Sequence, residues 1–438
     1  MFTFHFKQLS TETCFMGVRR IKTTYFAVVS LFWFATVLPA AVQILLVEAR
    51  GLELSDIGII FGVYGLVIVL LEVPTGGLAD AVGRKRMTLL ALLFTLVSET
   101  VLLFAFSLPM FLLFAVISGM GRALISGAPE AWFIDSLQAS DPEVDVQPAL
   151  AQAGTFELFA LAAGTLLGGF LPMLFTNLPA EGTAVLTPFS VTIVASGAMF
   201  IVTFLVVLVF MKEQRPDDSE EVAGFRALPE VISTAFDLSR RNPVILLLFG
   251  AMFAGGLALS SLEIFWQPNF ARLLGAVEGN SFVFGVLLAG SFGLAMVGNL
   301  LSIPLSRLLN KRYAVVAAVF QTLQGGFLIL LALQGLPVAA GAFFWLVYFS
   351  RGVINSPHAT LFNAEVPAAR RSSMLSIQSL VFSAGAVVGS AGLGFVAERS
   401  SIGTAWTVAG SALLVSVVCY VVISVRNPPE RTTSKAVD

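Results

Sequence analysis

Twelve times along its 438 residues the chain runs through about 20 mostly apolar residues, the length a helix needs to cross a bilayer. The runs fall at roughly 24–48, 56–78, 87–107, 109–134, 150–174, 188–211, 243–269, 281–305, 313–333, 337–361, 373–396 and 402–425, numbered here as helices 1 to 12. Inside hydrocarbon each backbone N–H and C=O needs a partner within its own segment, so every run is expected to be helical. No alternating pattern suggests a barrel. The whole chain is 57% hydrophobic and only 12% charged, against about 45–50% and 25% in soluble domains. The expected fold is therefore an all-α integral membrane protein with bilayer as its solvent.

Basic residues set the orientation, because Lys and Arg collect in cytoplasmic connections. With the N-terminus inside, the inner segments hold 20 of the 25 Lys and Arg residues, and the outer connections hold three: Arg50, Arg272 and Arg399. The other two, Arg122 and Arg351, lie within helices 4 and 10. The bias predicts both termini on the cytoplasmic side of a plasma (bacterial inner) membrane. Residues 1–22 read as a cytoplasmic arm, not a cleavable signal. Two six-helix bundles, 23–211 and 243–425, flank a polar cytoplasmic linker at 212–242, and 426–438 form a cytoplasmic tail.

The two bundles repeat each other. Lys85 and Lys311 follow helices 2 and 8, and Arg122 and Arg351 occupy helices 4 and 10. Gly164-x-x-x-Gly168-Gly169 in helix 5 is echoed by Gly385-x-x-x-Gly389-Ser390 in helix 11. Three pairs at nearly equal separation argue for duplicated halves, which place a substrate near the midplane between them. Other functions find little support. Net charge is −2, which gives no general attraction for nucleic acid. Two cysteines and two histidines offer no metal cluster, and no H-E-x-x-H or G-K-[ST] motif is present. No enzyme and no cofactor are expected, only an ion gradient as the energy source.

The segment Gly76-Gly77-Leu78-Ala79-Asp80-Ala81-Val82-Gly83-Arg84-Lys85 between helices 2 and 3 resembles the loop 2–3 signature of the major facilitator superfamily, G-x-x-x-D-x-x-G-R-K/R. Gly76, Asp80, Gly83, Arg84 and Lys85 all match it, and span count, linker and repeat extend the likeness to nearly the whole chain. The resemblance implies two pseudo-symmetric six-helix bundles. It also implies a cytoplasmic latch in which Asp80 and Arg84 engage an acid at the end of helix 4, the place of Asp135. The second half departs from the pattern, with Ser306 and Asn310 in place of the acid and the first arginine. The drug-exporting branch of the family carries G-P-x-x-G-G in helix 5. Gly164, Gly168 and Gly169 keep its glycines without the proline, and read equally as small residues for helix packing.

Charges within the spans are costly there and mark functional positions. Arg122 lies near the midplane of helix 4 and resembles the family arginine tied to proton coupling; a structural ion pair is the alternative. Arg351 is similarly deep in helix 10, and the two arginines together suit an anionic substrate. Glu157 in helix 5 is the preferred proton carrier, balanced between burial and a nearby Arg122, with a static hydrogen-bonded carboxyl as the alternative. Glu263, Gln267 and His358 complete the expected substrate cavity, His358 as relay or as packing residue. Glu99 is expected to be a satisfied structural acid.

These observations predict an alternating-access carrier, a monomer in the lipid bilayer, that exchanges protons for small amphipathic drugs or secondary metabolites. A proton-coupled carrier of an organic anion or nutrient, clamped by Arg122 and Arg351, is the second reading. A membrane receptor or membrane enzyme is the third.

Overall fold

The structure, a computed structural model, describes residues 17–141, 144–212, 242–275, 279–366 and 371–426, with the backbone alone described for 72–81 and 371–373. The expected arm at 1–16, the linker between Lys212 and Asn242, and the tail beyond Arg426 lie outside the described residues. Among the described residues, twelve helices are long and apolar enough to cross a membrane. Helices 1 to 6 are Val18–Val37, Leu54–Val82, Arg84–Phe104, Leu108–Ile125 continued by Ala128–Ser140, Val146–Leu174 and Ser190–Phe210. Helices 7 to 12 are Pro243–Leu274, Ser281–Leu308, Tyr313–Ala332, Pro337–Glu365, Arg371–Arg399 and Ile402–Arg426. Val18 of helix 1 and Arg426 of helix 12 thus lie at one face, called here the terminal face.

Two helices differ from the sequence reading. Helix 1 begins at Val18, so the last residues of the expected arm are its first turn. Its apolar run is interrupted near Pro39, in a tight turn Pro39–Ala41. A short helix, Gln43–Ala49, follows along the opposite face. Proline supplies no N–H to an i→i−4 bond, which explains the break. Helix 4 breaks at Ser126–Gly127, where Gly127 takes φ +76 and Pro129 starts the second piece. A side chain would strain that left-handed backbone, so glycine fits the hinge. Gly83, φ +100, makes the equally tight corner between helices 2 and 3.

The halves meet along helices 2 and 11 and along helices 5 and 8. Small residues permit this. Gly58 lies against the Ser390 carbonyl and Gly394, and a side-chain carbon at Gly169 would come within 2.7 Å of the Gly285 amide nitrogen. Among the described residues, hydrogen bonds join the halves at the face opposite the termini. Ser281 Oγ donates to the Gly169 carbonyl at 2.7 Å, and the Ser55 amide donates to Glu398 Oε2 at 3.0 Å. Beside this seam, Trp266, Phe270, Phe284 and Phe344 form an interlocked ring cluster.

Candidate transport site

The site is a pair of pockets, one in each half. In the first half, helices 1, 3, 4, 5 and 6 enclose a cavity of about 270 Å³ whose lining includes Tyr25, Trp33, Thr88, Arg122, Glu130, Glu157 and Thr203. In the second half, helices 7, 9, 10, 11 and 12 enclose about 180 Å³, lined by Gln321, Arg351, Asn355, His358, Gln378 and Tyr420 among others. The same five helices of each repeat build both pockets, and each is lined in part by the arginine of its half. Both lie toward the terminal face, with Tyr25 and His358 about two helical turns inside it.

Each guanidinium lies against an aromatic ring. Arg122 Cζ lies 5.7 Å from the Trp33 ring centroid, and Arg351 Cζ lies 4.9 Å from that of Phe382. Arg351 also rests on Gly255, where a side-chain carbon would stand 2.9 Å from Nη1. Among the described residues neither arginine has a carboxylate within ion-pair distance. A bare guanidinium in a partly apolar cavity is strongly favourable for an incoming anion, because it retains five donors in a planar fork.

The expected cavity and coupling residues fall in four places. Arg122 and Glu157 share the first pocket, and Arg351 and His358 share the second. Glu263 keeps accessible surface deep between the halves. Gln267, expected in the cavity, is instead 1% exposed and bound into the seam. Its Oε1 accepts from the Ile44 and Leu45 amides at 3.0 and 3.4 Å, and its Nε2 donates to the Ala40 carbonyl at 2.7 Å. It therefore ties the two halves together at the opposite face and lines neither pocket.

The latch expected at the terminal face falls partly within the described residues. Arg84 Nη1 meets Asp135 Oδ2 at 2.7 Å, and Lys85 Nζ donates to the Leu208 carbonyl at 2.8 Å. Gly76 and Asp80 lie within helix 2, and their side chains lie outside the described residues. Gly164 and Gly168 pack helix 5 onto Phe34 and Leu38 of helix 1, while Gly169 faces helix 8. Glu99, expected to be satisfied, has its Oε2 buried without a hydrogen-bond partner. Tyr25, Trp33, Asn355, Gln378 and Tyr420 escaped the sequence reading; the last three are equivalent in chemistry to dozens of polar residues that only pack.

Span number, duplicated halves and the Gly83–Arg84 corner are matched by a known family pattern: that of the Major Facilitator Superfamily fits residues 24–364. The chain belongs to this superfamily. Its class of work is therefore transport across a membrane, not catalysis. Solved structures agree in fold. The nucleoside transporter NupG superposes with TM-score 0.71 at 13% identity, covering 93% of this chain and 98% of that one. The human organic anion transporter MFSD10 (TETRAN) gives 0.62 at 16%, covering 92% and 99%. A bacterial homolog of the human lysosomal transporter Spinster, inward-facing and unoccupied, gives 0.65 at 16%, covering 93% and 95%. No curated relative matches the sequence.

Proposed function

We propose that this superfamily member is a proton-coupled exporter of small amphipathic molecules that carry an anionic group, with the terminal face cytoplasmic. The observation that supports this is the pair of arginines without carboxylate partners, each lining a pocket of its own half. The aromatic side chains that line the first pocket, Tyr25, Phe32 and Trp33, suit the apolar portion of such a substrate.

The cycle follows from the geometry. With the opposite face sealed by Gln267 and Ser281, substrate enters from the cytoplasm and its negative group meets a guanidinium. Glu157, lining the same pocket as Arg122, exchanges a proton with water. A neutral Glu157 leaves the first pocket cationic, which favours an anion bound nearby, whereas an ionised Glu157 cancels the charge of Arg122. Proton arrival from outside thus alternates with substrate release there. A membrane potential of 100 mV supplies about 2.3 kcal/mol per charge moved, enough for nearly two decades of gradient. The packing of Gly164 and Gly168 against helix 1 accords with export, since it lets helices 1 and 5 move as one unit.

Proteoliposomes loaded with a pH-sensitive dye test this reading. An outward substrate gradient of an aromatic carboxylate should move protons in the opposite sense, and Glu157→Gln should abolish that proton movement while leaving carboxylate exchange intact. Carboxylate flux in wild type with no accompanying proton movement would overturn the coupling, and flux of neutral dyes alone would overturn the anionic substrate.

A further inference from the structure

The two arginine pockets are related by the internal repeat, yet their chemistry differs at corresponding positions. The offset that carries Arg122 to Arg351 also carries Ile125 to Ile354, Ser126 to Asn355 and Glu130 to Ala359. The offset that carries Gly164 to Gly385 carries Glu157 to Gln378. All of these except the glycines line their pockets. Both acids of the first pocket are thus replaced by neutral residues in the second, while the arginine is kept. Glu263, the carboxyl group whose charge acts on Arg351, stands outside the second pocket's lining.

The second pocket also holds unused hydrogen-bonding capacity. His358 is 3% exposed, and its Nδ1 lies 2.7 Å from the Tyr420 hydroxyl. A phenol is the better donor and an imidazole nitrogen the better acceptor, so Tyr420 donates to Nδ1 and the ring proton sits on Nε2. That Nε2 has no partner, and neither does Gln378 Oε1. One cation, one N–H donor and one amide acceptor therefore line about 180 Å³ with no hydrogen bond among them, room for roughly six water-sized groups.

We propose that the Arg351 pocket is a permanently cationic receptor for the substrate's head group, a carboxylate with a neighbouring hydroxyl or amino group. The carboxylate accepts from the Arg351 guanidinium and His358 Nε2–H, and the neighbouring donor reaches Gln378 Oε1. Proton exchange is left to the Arg122 pocket. This assignment rests on the reading above that the substrate is anionic, and it adds which half binds the charge and what flanks it.

The test is binding to the purified full chain in lipid nanodiscs, using lactate, mandelate and phenyllactate as probes and mandelamide as the neutral control. Mandelate or phenyllactate should stabilise wild type against heat, and mandelamide should not. Arg351→Gln should weaken that binding by about tenfold or more, the loss expected for a charge-assisted contact. Gln378→Glu recreates the acid of the first half, so it should bind the carboxylates poorly at neutral pH and regain them in acid. Size-exclusion profiles and melting without ligand identify any variant that has misfolded, and Arg351→Lys offers a milder replacement in that case. If folded Arg351→Gln and Gln378→Glu both keep wild-type affinity while proton-coupled flux persists, the assignment falls and the proposed function stands. If wild type binds and moves none of the carboxylates, both fall.

Discussion

Replacing Gln267 with leucine should unseal the opposite face without unfolding the protein. Gln267 is 1% exposed and joins helix 7 to the turn and short helix that follow helix 1, through contacts of 3.0 Å to the Ile44 amide and 2.7 Å to the Ala40 carbonyl. The 3.4 Å approach of the Leu45 amide adds little, being at the edge of hydrogen-bonding distance. Two good hydrogen bonds contribute about 0.5–1.5 kcal/mol each, hence about 1–3 kcal/mol together. Leucine has a similar volume but cannot make them. In the sealed state it also leaves the Ile44 N–H and Ala40 C=O buried; in the open state water reaches both groups. The whole penalty therefore falls on the sealed state, and the ratio of open to sealed should rise about 5- to 150-fold. Spin labels at Ser107 and Leu336, on opposite-face turns of the two halves and both exposed, read this ratio by double electron–electron resonance. A second, longer distance should gain population in Gln267→Leu. A folded variant with the wild-type distance distribution would refute the assignment of Gln267 as a seal.

Four further outcomes are expected. Arg50 is 7% exposed and donates to the Leu102, Leu103 and Ala105 carbonyls at the end of helix 3; Arg50→Ala should lower stability by about 2–4 kcal/mol in a chemical unfolding series. Asp135→Asn removes the ion pair with Arg84, and because Asp135 is more than half exposed its stability cost should stay within about 1 kcal/mol while transport rate falls. At the seam, Glu53 lies outside the spans and its hydrogen bond to Glu398 raises its carboxyl above the usual range, with Asp56 adding to the effect. A raised group stabilises at low pH and loses that contribution as pH rises through its folded value, so labels across the opposite face should report more of the sealed state in acid, and Glu53→Gln should flatten the profile. Finally, Gly169→Val places a branched side chain against Gly285 and should populate the open state by overpacking, read with the same labels.

Much of the architecture was legible in the sequence because lipid leaves the chain so few options. A run of apolar residues can only be a helix there, and the twelve runs matched twelve helices to within a few residues at most ends. The errors have physical sources. Pro39 and Gly127 each break a run that remains apolar on both sides, and hydropathy does not register backbone geometry. Arg122 and Arg351 were found because an arginine at that depth has no cheap explanation. Gln267 was misplaced because a glutamine near an aromatic helix end looks the same whether it faces substrate or backbone. Its partners lie more than 200 residues away in sequence and are main-chain atoms, which leave no trace in residue type. Gln378 was invisible for a related reason: its meaning comes only from standing where its twin half has Glu157.

The contact made by Gln267 carries an evolutionary corollary. It recognises amides and a carbonyl that any residue sequence would present at those positions, proline aside. Natural drift or a designed library can therefore rewrite much of residues 40–45 and leave recognition untouched, provided the short helix Gln43–Ala49 still forms. The constraint of an entire segment is concentrated on one position of helix 7. Variation across relatives should show it, with Gln267 standing still opposite a partner that is free to change.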